Sequence, residues 1–184
     1  MATLLAVCVV AQLRPDAGYF GVTAIDKRAV DGTVKVTKFG LRGDVQADRK
    51  HHGGLDQAIY SYSESDARYW AEQLGRDLPA GWFGENLRID GLDVNEARIG
   101  EQWRIGEQVV VEVASPRTPC QTFGRWVGGA DERGWVKRFS DERRLGAYLR
   151  VVRTGSIRAG DAVVVVHAPE STETVRSVYR GVEG

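Results

Sequence analysis

The feature that most restricts this chain is its punctuation. Short runs rich in β-branched and aromatic residues are broken again and again by glycine, of which there are 22 in 184 residues. Runs of this kind read as strands bounded by turns. Thr3 to Leu13, Thr33 to Thr37, Gln57 to Tyr62 and Gly84 to Ile89 are four of them. Glu101 to Ile105 and Gln108 to Ala114 flank Gly106 and predict a hairpin. Leu145, Ala147, Leu149 and Val151 alternate with other residues in a later strand, and Ala162 to His167 ends the β pattern. Many short strands at close spacing predict a mainly β fold, either a barrel or a packed pair of sheets.

Helical periodicity is sparse. Ala67, Trp70, Ala71 and Leu74 fall at i, i+3, i+4 and i+7, and Ser63 with Asp66 supplies a capping-box-like start, so one helix covers a sheet face here. A second helix begins at Thr118-Pro119, and a third runs from Asp131 to Phe139 with Trp135 and Phe139 on one side. From Pro169 onward Ser, Thr, Glu and Arg predominate. The expected organisation is one domain over residues 1–168 and a short C-terminal tail or docking segment over 169–184.

Composition removes several function classes. Lys plus Arg is 25 and Asp plus Glu is 25, so the formal charge is zero. A protein that holds nucleic acid through its phosphates needs a basic excess, and none is present. The longest apolar run, Leu4 to Ala11, is far short of the roughly 20 residues that cross a bilayer. No Lys or Arg precedes it and no cleavage pattern follows, so it reads as a core strand and the expected setting is cytoplasmic. Two cysteines make neither a disulfide framework nor a structural zinc site.

One of those cysteines stands in SPRTPCQTFG, Ser115 to Gly124. Thr118 is a good N-cap, Pro119 suits the first helical position, and Gln121 sits where a capping box places its acceptor. This predicts Cys120 at the second position of a helix, where unpaired amides and the helix dipole favour a thiolate. Arg117 adds a fixed positive charge. The competing reading is a small apolar residue packed beneath the helix. Cys8, in an apolar strand without neighbouring charge, reads as inert core.

Three further constellations carry polar groups. Gly40-Leu41-Arg42-Gly43-Asp44 followed by His51-His52-Gly53-Gly54 forms a glycine-bearing loop whose amides suit an anion nest, or else an ordinary surface loop. Adjacent histidines point to opposite sides of an extended chain, so one of the pair at most faces a site. Glu85 and Asn86, after Trp82-Phe83-Gly84, suit either a heterocycle edge or the capping of turns. Lys27 and Arg28 offer charge for an anion or remain solvated.

In this order, TAIDKRAV, GLRGDVQAD, HHGGLDQAIYSY, FGENL, IGEQWRIGE, SPRTPC and AYLRVVRTGSIRAGD resemble the MOSC family, named for the C-terminal domain of molybdenum cofactor sulfurase, and in particular its YiiM-like bacterial members. The resemblance spans Thr23 to Asp161. It implies a β-barrel-like fold with short helices that binds molybdenum cofactor, a pterin (molybdopterin) carrying a dithiolene and a phosphate. It makes Cys120 the protein ligand to molybdenum and sets Arg117 beside the metal. It brings His52 with the Gly53 and Gly54 amides to the pterin or phosphate, Lys27 to the phosphate, and Glu85 with Asn86 to the pterin edge.

The implied activity is reduction of small N-hydroxylated substrates, hydroxylamino purines and amidoximes, to amines, with Cys120 and His52 as the catalytic pair. Longer YiiM-like relatives continue into a C-terminal helical extension, whereas only about fifteen residues follow Pro169 here. With no iron–sulfur or haem motif in the chain, a separate electron-donor protein is the expected partner. A sulfur carrier charged as a Cys120 persulfide by a pyridoxal-phosphate-dependent cysteine desulfurase is the alternative, and a noncatalytic cofactor-binding module is a third.

Overall fold

The computed structural model describes residues 1–18, 21–45, 53–128 and 134–181. The strands in chain order are β1 (Ala2–Val10), β2 (Arg14–Pro15), β3 (Val22–Thr23), β4 (Lys27–Ala29), β5 (Val34–Thr37), β6 (Gly40–Leu41), β7 (Ile59–Ser63), β8 (Leu87–Asp90), β9 (Gln102–Ile105), β10 (Val109–Pro116), β11 (Ala147–Arg153), β12 (Gly155–Ile157) and β13 (Ala162–His167). The helices are α1 (Glu64–Leu74), α2 (Gln121–Gly128), α3 (Trp135–Glu142) and α4 (Val175–Val178), and a 3-10 turn spans Leu55–Gln57.

Seven strands close into a barrel in the order β1, β8, β7, β11, β10, β9, β13 and back to β1. Every pairing is antiparallel except β7 with β8, whose connection contains α1. β1 is long enough to serve two sheets. Its first residues pair with β13, Cys8 to Val10 pair with β4, and its other edge carries β8 across a bulge near Leu4. The bulge turns Leu5 outward while Leu4 and Val7 stay inside.

Alternation fills the barrel. Val109, Val111 and Val113 of β10 and Ala147, Leu149 and Val151 of β11 point inward, and Trp103 is fully buried with its Nε1 donating to Glu101 Oε1 at 2.6 Å. The small sheet β12-β5-β6 adds Val34, Val36, Leu41 and Ile157 to the same core. The outward residues of β7, Tyr60 and Tyr62, belong to a second apolar layer beneath α1, α2 and α3. Its rings are in contact: Tyr62 on Phe83 at 4.2 Å between centroids, Phe123 on Phe139 at 4.6 Å, and Trp70 on Phe139 at 5.5 Å.

The mainly β prediction is borne out, and the predicted hairpin is β9–β10. Three local expectations need correction. The strand expected to reach Leu13 ends at Val10, and the one expected from Gly84 begins at Leu87. The capping box at Ser63 does not form, because other partners take both side chains: Ser63 Oγ accepts from Val94 N at 3.0 Å, and Asp66 is bonded to Asn95 and Arg144. Near the chain end, Thr174 caps α4 in a reciprocal box with Ser177, Val175 is buried, and the Tyr179 hydroxyl meets Ser140 Oγ at 2.8 Å.

Candidate functional site

The outer face of the barrel carries a lateral row of three residues. Ser115 of β10 is opposite Tyr148 of β11, which is opposite Tyr60 of β7. Alternation turns Tyr60 and Tyr148 away from the barrel interior, and their rings stand 5.6 Å apart. Arg117, two residues beyond Ser115, continues the β10 edge, its N–H donating to the Gly146 carbonyl at 3.2 Å. The guanidinium lies over Phe123 at 4.3 Å and over Tyr60 at 5.6 Å.

Arg117 is 6% exposed, and its Nη1 has no hydrogen-bond partner among the described residues. Burial on its own would discourage this charge. The surrounding phenols of Tyr60 and Tyr148 and the Cys120 sulfur outweigh it and hold the group more firmly protonated than usual. Burial also raises the Tyr148 phenol, and Arg117 opposes that rise.

Cys120 lies at the start of α2. Its carbonyl accepts the Gly124 N–H at 3.0 Å, the first bond of the helix, so the residue occupies the N-cap. Helix formation therefore begins two residues later than Thr118 and Pro119 predict. The β10–β11 ladder runs on through Arg117, and that tertiary pairing overrides the local capping signal. The electropositive character survives the shift, because N-cap side chains face the free amides of the first turn. Cys120 is partly exposed, whereas Cys8 is sealed and its thiol is pushed up to about 12 by burial.

From Tyr60 the row continues across the barrel through Asn86. The Tyr60 N–H donates to Asn86 Oδ1 at 3.0 Å, and Asn86 Nδ2 donates to the Cys8 carbonyl at 3.1 Å and to Asp44 Oδ2 at 2.8 Å. Asp44 also accepts from Val10 N at 3.0 Å and pairs with Lys27 Nζ at 2.5 Å. Lys27 thus already has a carboxylate, and Asn86 is spent on joining strands. Gly81 is required where it packs on β4: its φ is 92°, and a Cβ there would collide with the Lys27 carbonyl.

Glu85 is fully buried. One carboxylate oxygen accepts from Gly81 N at 2.8 Å and from Arg88, and the other accepts from Phe83 N at 2.9 Å. It shapes the 81–84 turn from inside the wall. Gly53 and Gly54 lead into the 3-10 turn, whose Asp56 pairs at 2.7 Å with Arg150, an outward residue two places from Tyr148. The loop therefore borders the tyrosine row. His51 and His52 lie outside the described residues.

Arg117 and Cys120 are thus brought together, while Lys27 and Asn86 join them only through Asp44 and Tyr60. Sequence reading gave no role of their own to Tyr60, Tyr148 or Asp44. Tyr60 and Tyr148 stand in quoted motifs, but only strand register reveals that they are neighbours. Among the described residues no three His, Cys, Asp or Glu side chains converge on a metal position, and no helix is long and apolar enough to cross a membrane.

Comparison with known proteins places this geometry in context. The model of the MOSC domain matches residues 48–164. The chain is 34% identical over 158 residues to the uncharacterized protein YflK of Bacillus subtilis (strain 168), covering 86% of this chain and 70% of that one. It is 29% identical over 164 residues to a protein named "Reductase" from Gibberella moniliformis (strain M3125 / FGSC 7600), covering 86% of this chain but 28% of that protein. The crystal structure of YiiM from Geobacillus stearothermophilus superposes with a TM-score of 0.77 at 26% identity, covering 97% of this chain and 82% of that one.

Proposed function

Because the chain belongs to the MOSC domain family, we propose that it is a molybdenum-cofactor-dependent reductase of N-hydroxylated compounds, with Cys120 as the protein ligand to molybdenum. The observation that carries this reading is the pairing of a helix-capping Cys120 with a buried Arg117 whose Nη1 lacks a partner among the described residues. A buried donor without an acceptor costs stability and suits a site whose acceptor arrives with a ligand. A soft thiolate next to an uncompensated cation fits an anionic, sulfur-ligated metal group that needs one further sulfur.

When bound, the cofactor supplies two-electron redox chemistry. The protein's part is ligation, orientation and proton supply. Cys120 Sγ would hold the metal, and Arg117 Nη1 would donate to an acceptor that the bound group brings. The Gly53 and Gly54 amides and Lys27 would hold the phosphate, Lys27 sharing its charge with Asp44. Glu85 and Asn86 act from behind, holding the 81–84 turn and Asp44 in place. Reduction of R–NHOH to R–NH2 and water consumes two electrons and two protons. His52 is the proposed source of one proton, imidazole being the side chain whose unperturbed range lies near neutrality.

The electrons come from a separate donor protein, and a reducing cytoplasmic setting suits a Cys120 that is in no disulfide. The MOSC unit is taken as residues 1–168, wider than the matched segment because β1 closes the barrel and β4 pairs with it. A protein named reductase among the relatives supports the reaction class. The test is metal and pterin analysis after expression with active cofactor synthesis, wild type beside Cys120→Ala, followed by benzamidoxime turnover with a chemical reductant. Stoichiometric molybdenum in wild type, its loss in the variant and formation of benzamidine support the reading. Equal molybdenum in both removes Cys120 as ligand. A Cys120 persulfide without pterin replaces the reductase with the sulfur carrier.

A further inference from the structure

We propose that Asp16 is a positioning residue for Cys120, clasping the N-terminal hairpin to the first turns of α2; the role in cofactor retention rests on the reading above. β2 and β3 form a two-stranded hairpin, Arg14 opposite Thr23 and Pro15 opposite Val22. Asp16 leaves that hairpin and spends both carboxylate oxygens on α2. Oδ1 accepts from Arg125 Nε at 2.9 Å, while Oδ2 accepts from Arg125 Nη2 at 2.7 Å and from the Thr122 hydroxyl at 3.0 Å. The same oxygen accepts the Gly18 N–H at 3.0 Å, which fixes the carboxylate to its own turn.

The hairpin is itself anchored. Arg14 Nε donates at 2.7 Å to Asp26, which is buried, and its guanidinium lies 5.4 Å over the Trp126 ring of α2. A two-pronged arginine–carboxylate pair fixes direction as well as distance. Thr122 and Arg125 follow Cys120 by two and five positions, so the clasp grips the stretch that begins at the Cys120 cap. Arg125 also lies within electrostatic reach of Cys120, and Asp16 neutralises it, leaving Arg117 as the uncompensated cation there among the described residues.

Magnitude separates positioning from mere support. The Arg125 side chain is 40% exposed, and a pair so solvated contributes little to global stability. Loss of the clasp is therefore expected at the helix start and not across the barrel. The Gly124 amide reports directly, because it donates to the Cys120 carbonyl.

The experiment is residue-resolved amide hydrogen exchange on the full chain in four forms: wild type, Asp16→Asn, Arg125→Gln and the charge swap Asp16→Arg with Arg125→Asp. Retention of molybdenum through gel filtration is measured in parallel on cofactor-loaded samples. Either single variant is expected to exchange Gly124 at least about tenfold faster, with the β10 and β11 amides unchanged, and to lose molybdenum several-fold faster. The swap is expected to recover most of both effects. Unchanged Gly124 exchange, uniform acceleration through the barrel, or a swap that restores nothing overturns the clasp. The expected exchange pattern in a wild type that binds no molybdenum sustains the clasp and sinks the cofactor reading.

Discussion

Replacing Arg117 by Met should leave the apoprotein about as stable as it was while stripping it of cofactor. The guanidinium is 6% exposed and lies over Phe123 at 4.3 Å and Tyr60 at 5.6 Å, so its removal forfeits desolvated cation–π contact of about 2 kcal/mol. Against this, a buried Nη1 without a partner among the described residues costs about 1–3 kcal/mol, and Met of similar length fills the space with apolar atoms. The two nearly cancel, so the net change is expected within about 1 kcal/mol of zero. Breaking a satisfied buried ion pair would instead cost about 3–5 kcal/mol. Urea unfolding of the apoprotein measures the first quantity and elemental analysis of the loaded protein the second. Destabilisation beyond about 3 kcal/mol with unaltered molybdenum content would refute the reasoning, because Arg117 would then be a structural ion with a partner of its own.

Three other outcomes follow from the geometry. Cys8, sealed and with its thiol pushed up to about 12, should resist iodoacetamide at pH 8 in the native protein while Cys120 reacts, as peptide mass spectrometry would reveal. Asp16 is held below its ordinary 3.8 chiefly by the Arg125 hydrogen bond, so its stabilising effect is present above that value and lost as pH falls through the lower, folded-state value. Whatever stability gap separates wild type from Asp16→Asn at pH 7 should therefore begin to shrink below pH 3.8 and vanish once the pH has passed the lower folded-state value, as denaturant titrations across that range would show. Gly81→Ala forces a methyl into the Lys27 carbonyl at φ 92° and should cost at least about 2 kcal/mol, with the melting temperature falling accordingly.

Where sequence reading succeeded, the signal was local. Two β-rich segments flanking the turn at Gly106 predicted β9 and β10, and the i, i+3, i+4, i+7 spacing at Ala67 to Leu74 predicted α1. Ser63 misled because its cap partner was chosen by Val94, thirty-one residues away. Thr118 and Pro119 form a sound local start signal, yet the ladder to Gly146 postponed the helix and moved Cys120 to the cap. The tyrosine row was beyond reach for the same reason: Tyr60 and Tyr148 are 88 positions apart and become neighbours only through register. Glu85 is the converse case. Its charge suggests a ligand contact, and only burial discloses that the groups it serves are two turn amides and Arg88.

The barrel is closed by its first strand meeting its last, since β1 pairs with β13 at Ala2 opposite Val163 and Thr3 opposite Ala162. During synthesis this edge of β1 must wait, unsatisfied, until β13 has left the ribosome, which makes closure a late and topologically slow event. A fragment trimmed to residues 48–164 forgoes that stave and exposes β8 and β13 along bare edges. Recombinant work on this protein is best served by retaining its first strand, because edge-to-edge association awaits any version without it.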